Sequence, residues 1–177
     1  MASVIFQTRW AEYAAELSLT TPQGVSVRLS DALNNPARVA PVPPPASRFL
    51  HLENPRRRDL ATGAPSPHPG TLLMSPEEVI LAWEVEPMIT SDERTHAAYE
   101  LRGTSASPML LHLDNGLRVE ARLAGGADLL LRPRPERRFV PCLDALLIDA
   151  AGSREPRSLP FLLVNSTLVE SFGQLDG

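Results

Sequence analysis

The sequence contains no lysine, a single cysteine and only nine aromatic residues (two Trp, two Tyr and five Phe) in 177 residues. One cysteine cannot form an internal disulfide, and it excludes a cysteine-rich zinc site. The longest strongly apolar run, Leu159 to Val164, is far shorter than the roughly 20 residues that a membrane-spanning helix needs. These absences leave a soluble globular protein as the expected class, with a core that does not depend on disulfides.

All 17 basic residues are arginine, and 21 acidic residues bring the formal net charge to −4. The missing lysine indicates the codon bias of a GC-rich genome, because alanine, proline, leucine and arginine are abundant as well. A negative net charge opposes nucleic-acid binding through overall charge, although a local basic patch is compatible with it. The first ten residues lack a basic segment followed by an apolar stretch, so we expect a cytoplasmic protein without a secretory signal.

Alternation of apolar and charged residues predicts a mostly β chain. The clearest signal is a hairpin from Met109 to Leu123, in which Asn115 and Gly116 are expected to supply the two positive-φ residues of a tight turn. Apolar and charged residues alternate along its second strand, which predicts one buried and one exposed face. Further strands are predicted at 16–20, 24–29, 48–53, 129–132, 139–148 and 161–164.

Two short segments leave the choice between helix and strand open. In the first, Ser30 can cap a single helical turn that ends before Pro36. The second, Ser75-Pro-Glu-Glu78, has the spacing of a capping box with proline at the first helical position. It favours one helical turn followed by a strand, and a full helix from Pro76 to Val85 is the alternative.

Two segments of the chain resemble each other at a spacing of 90 residues (49 to 139), with five identities in the 28 positions of 49–76 and 139–166. The likeness continues from 79–83 to 168–172 when one residue is skipped. These matches predict an internal duplication. We expect two related small β-barrel or β-roll units joined by a short helix from Ser91 to Ala98. The expected division is a first unit over 1–85 with proline-rich loops, a linker over 86–97 and a second unit over 98–177.

The sequence holds no recognisable catalytic or metal-binding motif. Its four histidines are scattered without ligand spacing, and Cys142 lies in an apolar strand pattern that is typical of an inert core thiol. It contains no phosphate-binding glycine loop, dinucleotide fingerprint or nucleophile elbow. We therefore expect a non-enzymatic protein with no catalytic residues, no metal ligands and no cofactor, and an enzyme with a split active site is the alternative.

Two arginine clusters are the candidate binding residues. The first follows a predicted strand, and the second joins two other strands through prolines that we expect to hold it extended and exposed. Guanidinium groups in such loops can engage phosphate or carboxylate, although most charged runs are simply solvated. If the duplication holds, both clusters lie near corresponding strands and could form one shared surface. The candidate binding residues are Arg56, Arg57, Arg58, Arg132, Arg134, Arg137 and Arg138.

The second unit resembles the first motif of Sm-like RNA-binding barrels. Counted from Gly116, Val119 lies at plus three and Leu123 at plus seven, whereas Ala121 occupies a position where those barrels often have glycine. The three leucines of 129–131 replace the asparagine-bearing segment that would hold a base. The first unit, through Arg28-Leu-Ser-Asp-Ala-Leu-Asn34, is similar to small uncharacterised bacterial domains with an Arg-Leu-Ser-Asp-x-Leu-Asn signature, a family that implies no activity.

Together these features predict a non-enzymatic bacterial binding or regulatory module. Its partner surface would use the arginine-rich loops or an exposed strand edge, which favours a protein partner or a homodimer and no membrane. The alternative is binding of RNA or single-stranded nucleic acid through the same arginines, with few aromatic residues available for stacking.

Overall fold

The computed structural model describes residues 1–39, 46–68, 70–85, 108–124, 126–132, 134–149 and 156–175. The chain divides into two compact units, Met1–Ser91 and Asp92–Gly177. Both units consist mainly of antiparallel strands, so the expected β class is confirmed. No helix in these ranges is long and apolar enough to cross a membrane. The predicted linker and its helix at 91–98 lie outside the described residues.

Unit 1 contains an antiparallel sheet in the order β6-β1-β2-β3, and β3 pairs further with β5 along its first half and with β4 along its second half. A short helix, α1, and two 3₁₀ turns occupy the connection from β2 to β3, and a third 3₁₀ turn precedes β6. The elements are β1 (Ala2–Gln7), β2 (Ala11–Leu17), α1 (Leu29–Asn34), β3 (Leu50–Asp59), β4 (Pro65–Pro67), β5 (Leu72–Met74) and β6 (Leu81–Glu84). The three turns are Pro36–Arg38, Ala46–Arg48 and Pro76–Glu78.

Unit 2 has an antiparallel sheet in the order β11-β7-β8-β9-β10. Helix α2 and one 3₁₀ turn lie between β8 and β9, and another 3₁₀ turn lies between β10 and β11. The elements are β7 (Met109–Leu113), β8 (Arg118–Leu123), α2 (Asp128–Leu131), β9 (Phe139–Ile148), β10 (Arg157–Asn165) and β11 (Val169–Gln174). The two turns are Pro135–Arg137 and Ser166–Leu168.

The predicted hairpin of unit 2 is confirmed as β7 and β8, but its turn differs from expectation. Gly116 has a φ of 80°, whereas Asn115 is not among the residues with positive φ. The Gly116 amide donates to the Leu113 carbonyl at 2.8 Å, and the Leu113 amide donates to the Leu117 carbonyl at 2.9 Å. The loop therefore has three residues with glycine in the left-handed position, rather than two residues of positive φ. The apolar residues of β8 are buried and its charged residues are not, as predicted.

Two predicted strands are wrong. The segment 129–132 lies mostly in helix α2, because leucine forms helices readily and a short apolar run does not distinguish helix from strand. The segment 24–29 forms only an isolated bridge between Thr20 and Ser26, and Leu29 already begins α1. The predicted 16–20 overlaps β2 only at Glu16 and Leu17, because β2 begins at Ala11 and ends at Leu17. The predicted 48–53 overlaps the first part of β3, β9 has the predicted bounds, and β10 extends the predicted 161–164 in both directions.

The two ambiguous segments are both resolved toward helical turns. The first forms α1, but Ser30 lies inside the helix and the N-cap position belongs to Arg28, which makes no side-chain capping hydrogen bond. In the second segment the hydroxyl of Ser75 accepts a hydrogen bond from the Glu77 amide at 3.3 Å and caps a single 3₁₀ turn. Strand β6 follows, so one turn and then a strand is correct, and the long helix is wrong.

The two units share one strand order and one pairing register. Five strands correspond: β1, β2, β3, β5 and β6 of unit 1 match β7, β8, β9, β10 and β11 of unit 2. In each unit the fourth of these strands pairs with the third, and the fifth pairs with the first. In the third and fourth strands, adding 90 to the residue numbers of unit 1 gives the pairs of unit 2. Thus Leu50–Met74, His51–Leu73 and Leu52–Leu72 become Val140–Val164, Pro141–Leu163 and Cys142–Leu162.

The third strands of the two units also share an irregularity. Asn54 has a φ of 50° and Asp144 a φ of 51°, and these are the only non-glycine residues of positive φ in the described part of the chain. Each lies where the register with the preceding strand shifts, between pairs Glu16–Glu53 and Ala14–Arg56 in unit 1. A β-bulge at the same place in both units follows, occupied by the residue types that tolerate the left-handed conformation best.

Neither sheet is closed by the pairings of the described residues. In unit 1 no ladder joins β6 to β4 or β5, and in unit 2 none joins β11 to β10 among the strands that the structure describes. Each unit is therefore an open antiparallel sheet, and the expected closed barrel is not confirmed. The core of each unit includes fully buried strand side chains, such as Phe6 and Leu52 in unit 1 and Leu111 and Leu162 in unit 2.

Candidate functional site

The first arginine cluster lies inside β3 and not in a loop after it, so its predicted placement is wrong. β3 continues through the bulge at Asn54 and pairs with β2 on one side and β4 on the other. Because side chains alternate along a strand, Arg56 and Arg58 share one face while Arg57 points to the other. Arg57 forms an ion pair with Asp59 at 3.3 Å. Arg56 and Arg58 are exposed and make no ion pair with any residue that the structure describes.

The second cluster in unit 2 contains a helical turn, which the prediction of an extended connection did not include. Arg132 follows the last residue of α2, and residues 135–137 form a 3₁₀ turn that begins with proline. Proline fixes φ at a value that suits the first position of a helical turn, which explains why residues 135–137 form a turn. The Arg138 carbonyl accepts hydrogen bonds from the Ser166 amide at 2.7 Å and from its hydroxyl at 2.9 Å. The side chains of Arg132, Arg134 and Arg137 are exposed.

The two clusters occupy different positions relative to the corresponding strands β3 and β9. The first occupies the last half of β3, whereas the second precedes the first residue of β9. A shift of 90 residues sets Arg56 and Arg58 against Leu146 and Ile148 of β9. The clusters are therefore not at corresponding positions, and one surface shared by both stays a prediction.

A tryptophan that the sequence patterns did not single out lies beside the first cluster. Trp10 belongs to the turn between β1 and β2, and its side chain is 71% exposed. The turn is held by Thr8, whose amide donates to the Ala11 carbonyl at 2.9 Å and whose hydroxyl donates to that carbonyl at 3.1 Å. The Ala11 amide donates back to the Thr8 hydroxyl at 3.2 Å. Three hydrogen bonds across four residues thus fix the backbone that carries Trp10.

Trp10 adjoins the end of the β2–β3 ladder that carries the exposed arginines. Glu12 faces Arg58 in this ladder, and the Leu60 amide donates to the Trp10 carbonyl at 3.0 Å, which continues the same pairing by two residues. Alternate residues of two paired strands share a face. We call this surface the Trp–Arg face; it comprises Trp10, Glu12, Ala14, Arg56, Arg58 and Leu60.

Asp59 holds the loop that borders the Trp–Arg face. One of its carboxylate oxygens accepts hydrogen bonds from the amides of Ala61 at 3.0 Å and Thr62 at 2.9 Å, and from the Thr62 hydroxyl at 3.1 Å. The hydrogen bonds from Thr62, and then those from Ala61 and the charge of Arg57, lower the pKa of Asp59. The ionised carboxylate therefore stabilises the loop that presents Leu60 to Trp10.

Acid should weaken unit 1 through this group. The folded pKa of Asp59 lies below its ordinary value of 3.8, so the unfolded chain takes up the proton first. The stabilisation is complete above that value and is lost as the pH falls from it toward the folded pKa. We expect Asp59→Asn to lower the urea midpoint of unfolding at neutral pH. The difference in midpoint between the variant and the wild type should become smaller as the pH falls below 3.8. Fluorescence reports this unit because Trp10 and Trp83, the two tryptophans, both belong to it. An equal difference at both pH values would contradict the assignment.

Other chemistry-bearing residues do not form a site in the described ranges. No group of three or more His, Cys, Asp and Glu side chains in them could hold a metal ion. A ring nitrogen of His51 lies 3.2 Å from the Ala46 carbonyl, a contact that suits a structural histidine. Cys142 is buried in β9, and this burial raises the pKa of its thiol far above the ordinary value, so the thiolate is suppressed.

Comparison with known proteins adds no assignment to this geometry. No protein-family model matches the sequence, and no curated protein matches it. The resemblances to Sm-like barrels and to the domains with the Arg-Leu-Ser-Asp-x-Leu-Asn signature therefore rest only on the residues that carry them. The Trp–Arg face, defined by register and exposure, is the feature from which a function can be argued.

Proposed function

We propose that the chain is a non-enzymatic binding module and that the Trp–Arg face of unit 1 binds a protein partner. The observation that carries this proposal is the 71% exposure of Trp10 on a turn fixed by hydrogen bonds. Tryptophan and arginine are among the residue types most enriched in the energetic centres of protein interfaces. A side chain on a fixed turn also loses less conformational freedom on binding than one on a mobile loop.

The chemistry of the face indicates the chemistry of its partner. Arg56 and Arg58 of β3 provide two positive charges, and Glu12, which faces Arg58 from β2, provides one negative charge. Guanidinium groups bind carboxylates through paired hydrogen bonds, and the indole of Trp10 offers a large apolar surface beside them. We therefore expect a partner that presents carboxylates next to an apolar side chain.

A protein partner fits this face better than a nucleic acid. Non-specific binding of single strands uses successive aromatic platforms along a basic groove, whereas this face has one tryptophan and one acidic residue. The net charge of −4 opposes long-range attraction of phosphates as well. Binding of RNA or single-stranded nucleic acid through the arginines is the second candidate, favoured by the exposure of Arg132, Arg134 and Arg137 in unit 2.

We also propose that the two units are related by duplication, each a variant of one small β-roll. The support is the common strand order, the constant difference of 90 in residue number between corresponding pairs, and the bulge in both third strands. On this proposal the copies have diverged in function, because unit 2 has Leu146 and Ile148 where unit 1 has Arg56 and Arg58. The Trp–Arg face is then a property of unit 1 alone.

Charge reversal of the two arginines tests the proposed function. We expect the double variant Arg56→Glu/Arg58→Glu to lose the protein that the wild-type chain captures from nuclease-treated extract of its source cells. The expected loss is at least about tenfold in affinity, since reversal places like charges against the partner's carboxylates. The captured protein is identified by mass spectrometry and its affinity is measured by titration calorimetry.

The matched control is Arg132→Glu/Arg134→Glu, which makes the same charge change on exposed residues of unit 2. It should bind like the wild type. An equal loss in the control, or unchanged binding by the unit 1 variant, would contradict the role of the Trp–Arg face. Capture of RNA from untreated extract, with no protein captured from the nuclease-treated extract, would establish the second candidate instead.

A further inference from the structure

Strand β11 lies at the end of the sheet of unit 2 and lacks the protection that β4 has. β4 contains Pro65 and Pro67, which cannot donate backbone hydrogen bonds and therefore oppose further strand pairing. β11 pairs with β7 on one side, and none of the strands described here pairs with its other side. It contains no proline and no basic residue, and Glu170 is its only charge. An edge of this composition is open to another strand.

The hydrogen bonding of β11 shows which backbone groups are available. The Leu175 amide donates to the Pro108 carbonyl at 2.9 Å, so Leu175 is directed toward the side of β7. Along an antiparallel strand, alternate residues direct their amide and carbonyl groups to the same side. Ser171 and Gly173 therefore face β7, while Phe172 and Gln174 direct their backbone groups away from it.

We propose that two copies of this chain associate through antiparallel pairing of β11 with β11 of the second copy, centred on Phe172. This inference does not depend on the Trp–Arg face. Outward-facing residues must oppose outward-facing residues, and an axis through either Phe172 or Ser171 meets this condition with an overlap of five residues. We choose Phe172 because only that register sets the two phenylalanines opposite each other. Phe172 of one copy then faces Phe172 of the other, and Gln174 lies opposite Glu170, the residue that the β7 ladder leaves unpaired at a bulge between Val169 and Ser171.

The chemistry of the strand favours a second copy as the occupant. The partly buried phenylalanines form a cross-strand aromatic pair on the two-fold axis, and such pairs stabilise sheets. Each Glu170 opposes a neutral amide side chain, so the symmetric register brings no carboxylates together. Centring the pair on Glu170 would set two carboxylates against each other and shorten the overlap. Among the registers with the longest overlap, the one centred on Phe172 is the only one that also pairs the two aromatic rings.

Sedimentation velocity of the full chain over a range of concentrations tests the association. We expect a species of twice the 19.3 kDa chain mass that dissociates on dilution. Gln174→Pro removes an outward amide donor and leaves the ladder to β7 intact, so it should weaken dimerisation at least tenfold. Gln174→Ala keeps the donor and should dimerise like the wild type. A strict monomer at the highest concentration, a Gln174→Pro variant that dimerises normally, or growth beyond dimers would each overturn the proposal.

Cysteine cross-linking tests the register. The one native cysteine, Cys142, is buried in β9 and should not react, so an introduced cysteine can be followed alone. Phe172→Cys should form a disulfide-linked dimer on oxidation, since opposed residues of a hydrogen-bonded pair have Cα atoms about 5.5 Å apart, within the range of disulfides. Ser171→Cys opposes Gly173 in this register and should cross-link much less. Equal cross-linking of both variants, or none with Phe172→Cys, would exclude pairing centred on Phe172.

Discussion

Replacing Phe6 with alanine should lower the free energy of unfolding of unit 1 by about 3–5 kcal/mol. Phe6 is fully buried in β1, which pairs with β2 on one side and β6 on the other. Its cross-strand partners are Tyr13 and Ala82. The alanine cannot fill the space that the ring vacates, and two flanking ladders restrain the backbone from collapsing into it. The loss therefore includes both the transfer energy of the ring and the cost of a cavity.

Urea unfolding followed by tryptophan fluorescence measures this effect, because Trp83 is buried at 3% exposure in the neighbouring strand β6. The control is Ser3→Ala, an exposed position of the same strand, which should change stability by less than about 0.5 kcal/mol. A loss below about 1 kcal/mol for Phe6→Ala would show that β1 does not organise the core of unit 1.

Strand β8 gave the clearest sequence signal because only one of its faces is buried. β8 alternates buried apolar and more exposed charged residues, so a period of two is visible in its sequence. β1 escaped prediction because Val4, Ile5, Phe6 and Gln7 are all buried, which removes the alternation. Three consecutive leucines concealed α2 for a related reason: a short apolar run has no period to measure.

The candidate site was predictable only in part. Arginine content singled out Arg56 and Arg58, but their place within a strand depends on the bulge at Asn54 and on pairing with β4. Pro55 and the run of charges beside it are more typical of a loop. Trp10 was missed because no local pattern assigns a tryptophan between Arg9 and Ala11 to a strand or a turn. Its position follows from pairing with a residue 50 positions away, Leu60, which no local pattern contains.

Strand register supports the proposed duplication more strongly than sequence identity does. Five identities in 28 positions are weak support, and the sequence match beyond them needed one skipped residue. The β1–β6 and β7–β11 ladders remove that skip, because Trp83 pairs with Ile5 as Gly173 pairs with Leu110, again 90 residues apart in the fifth strand. Proposed duplication therefore rests on backbone pairing more than on side-chain identity.

Replacing Trp10 with alanine should weaken binding of the proposed partner by about 2 kcal/mol or more, which is roughly thirtyfold in Kd. The indole is the largest exposed side chain of the Trp–Arg face, and it would be desolvated between the partner and the arginines. Its removal should not destabilise unit 1, because the turn is held by Thr8 and by backbone hydrogen bonds that alanine retains. Trp10→Ala should therefore reduce affinity without reducing stability, whereas Phe6→Ala should reduce stability.

Val25→Ala is the matched control, since Val25 is an apolar side chain of unit 1 with 60% exposure outside the face. It should bind with wild-type affinity. Trp10→Phe should recover part of the loss, because a smaller ring keeps some of the apolar contact and of the stacking on guanidinium groups. In a Trp83→Phe background, emission from Trp10 should shift to the blue when the partner covers the indole. Wild-type affinity of Trp10→Ala, or emission that does not respond to the partner that the chain captures, would place the binding surface elsewhere.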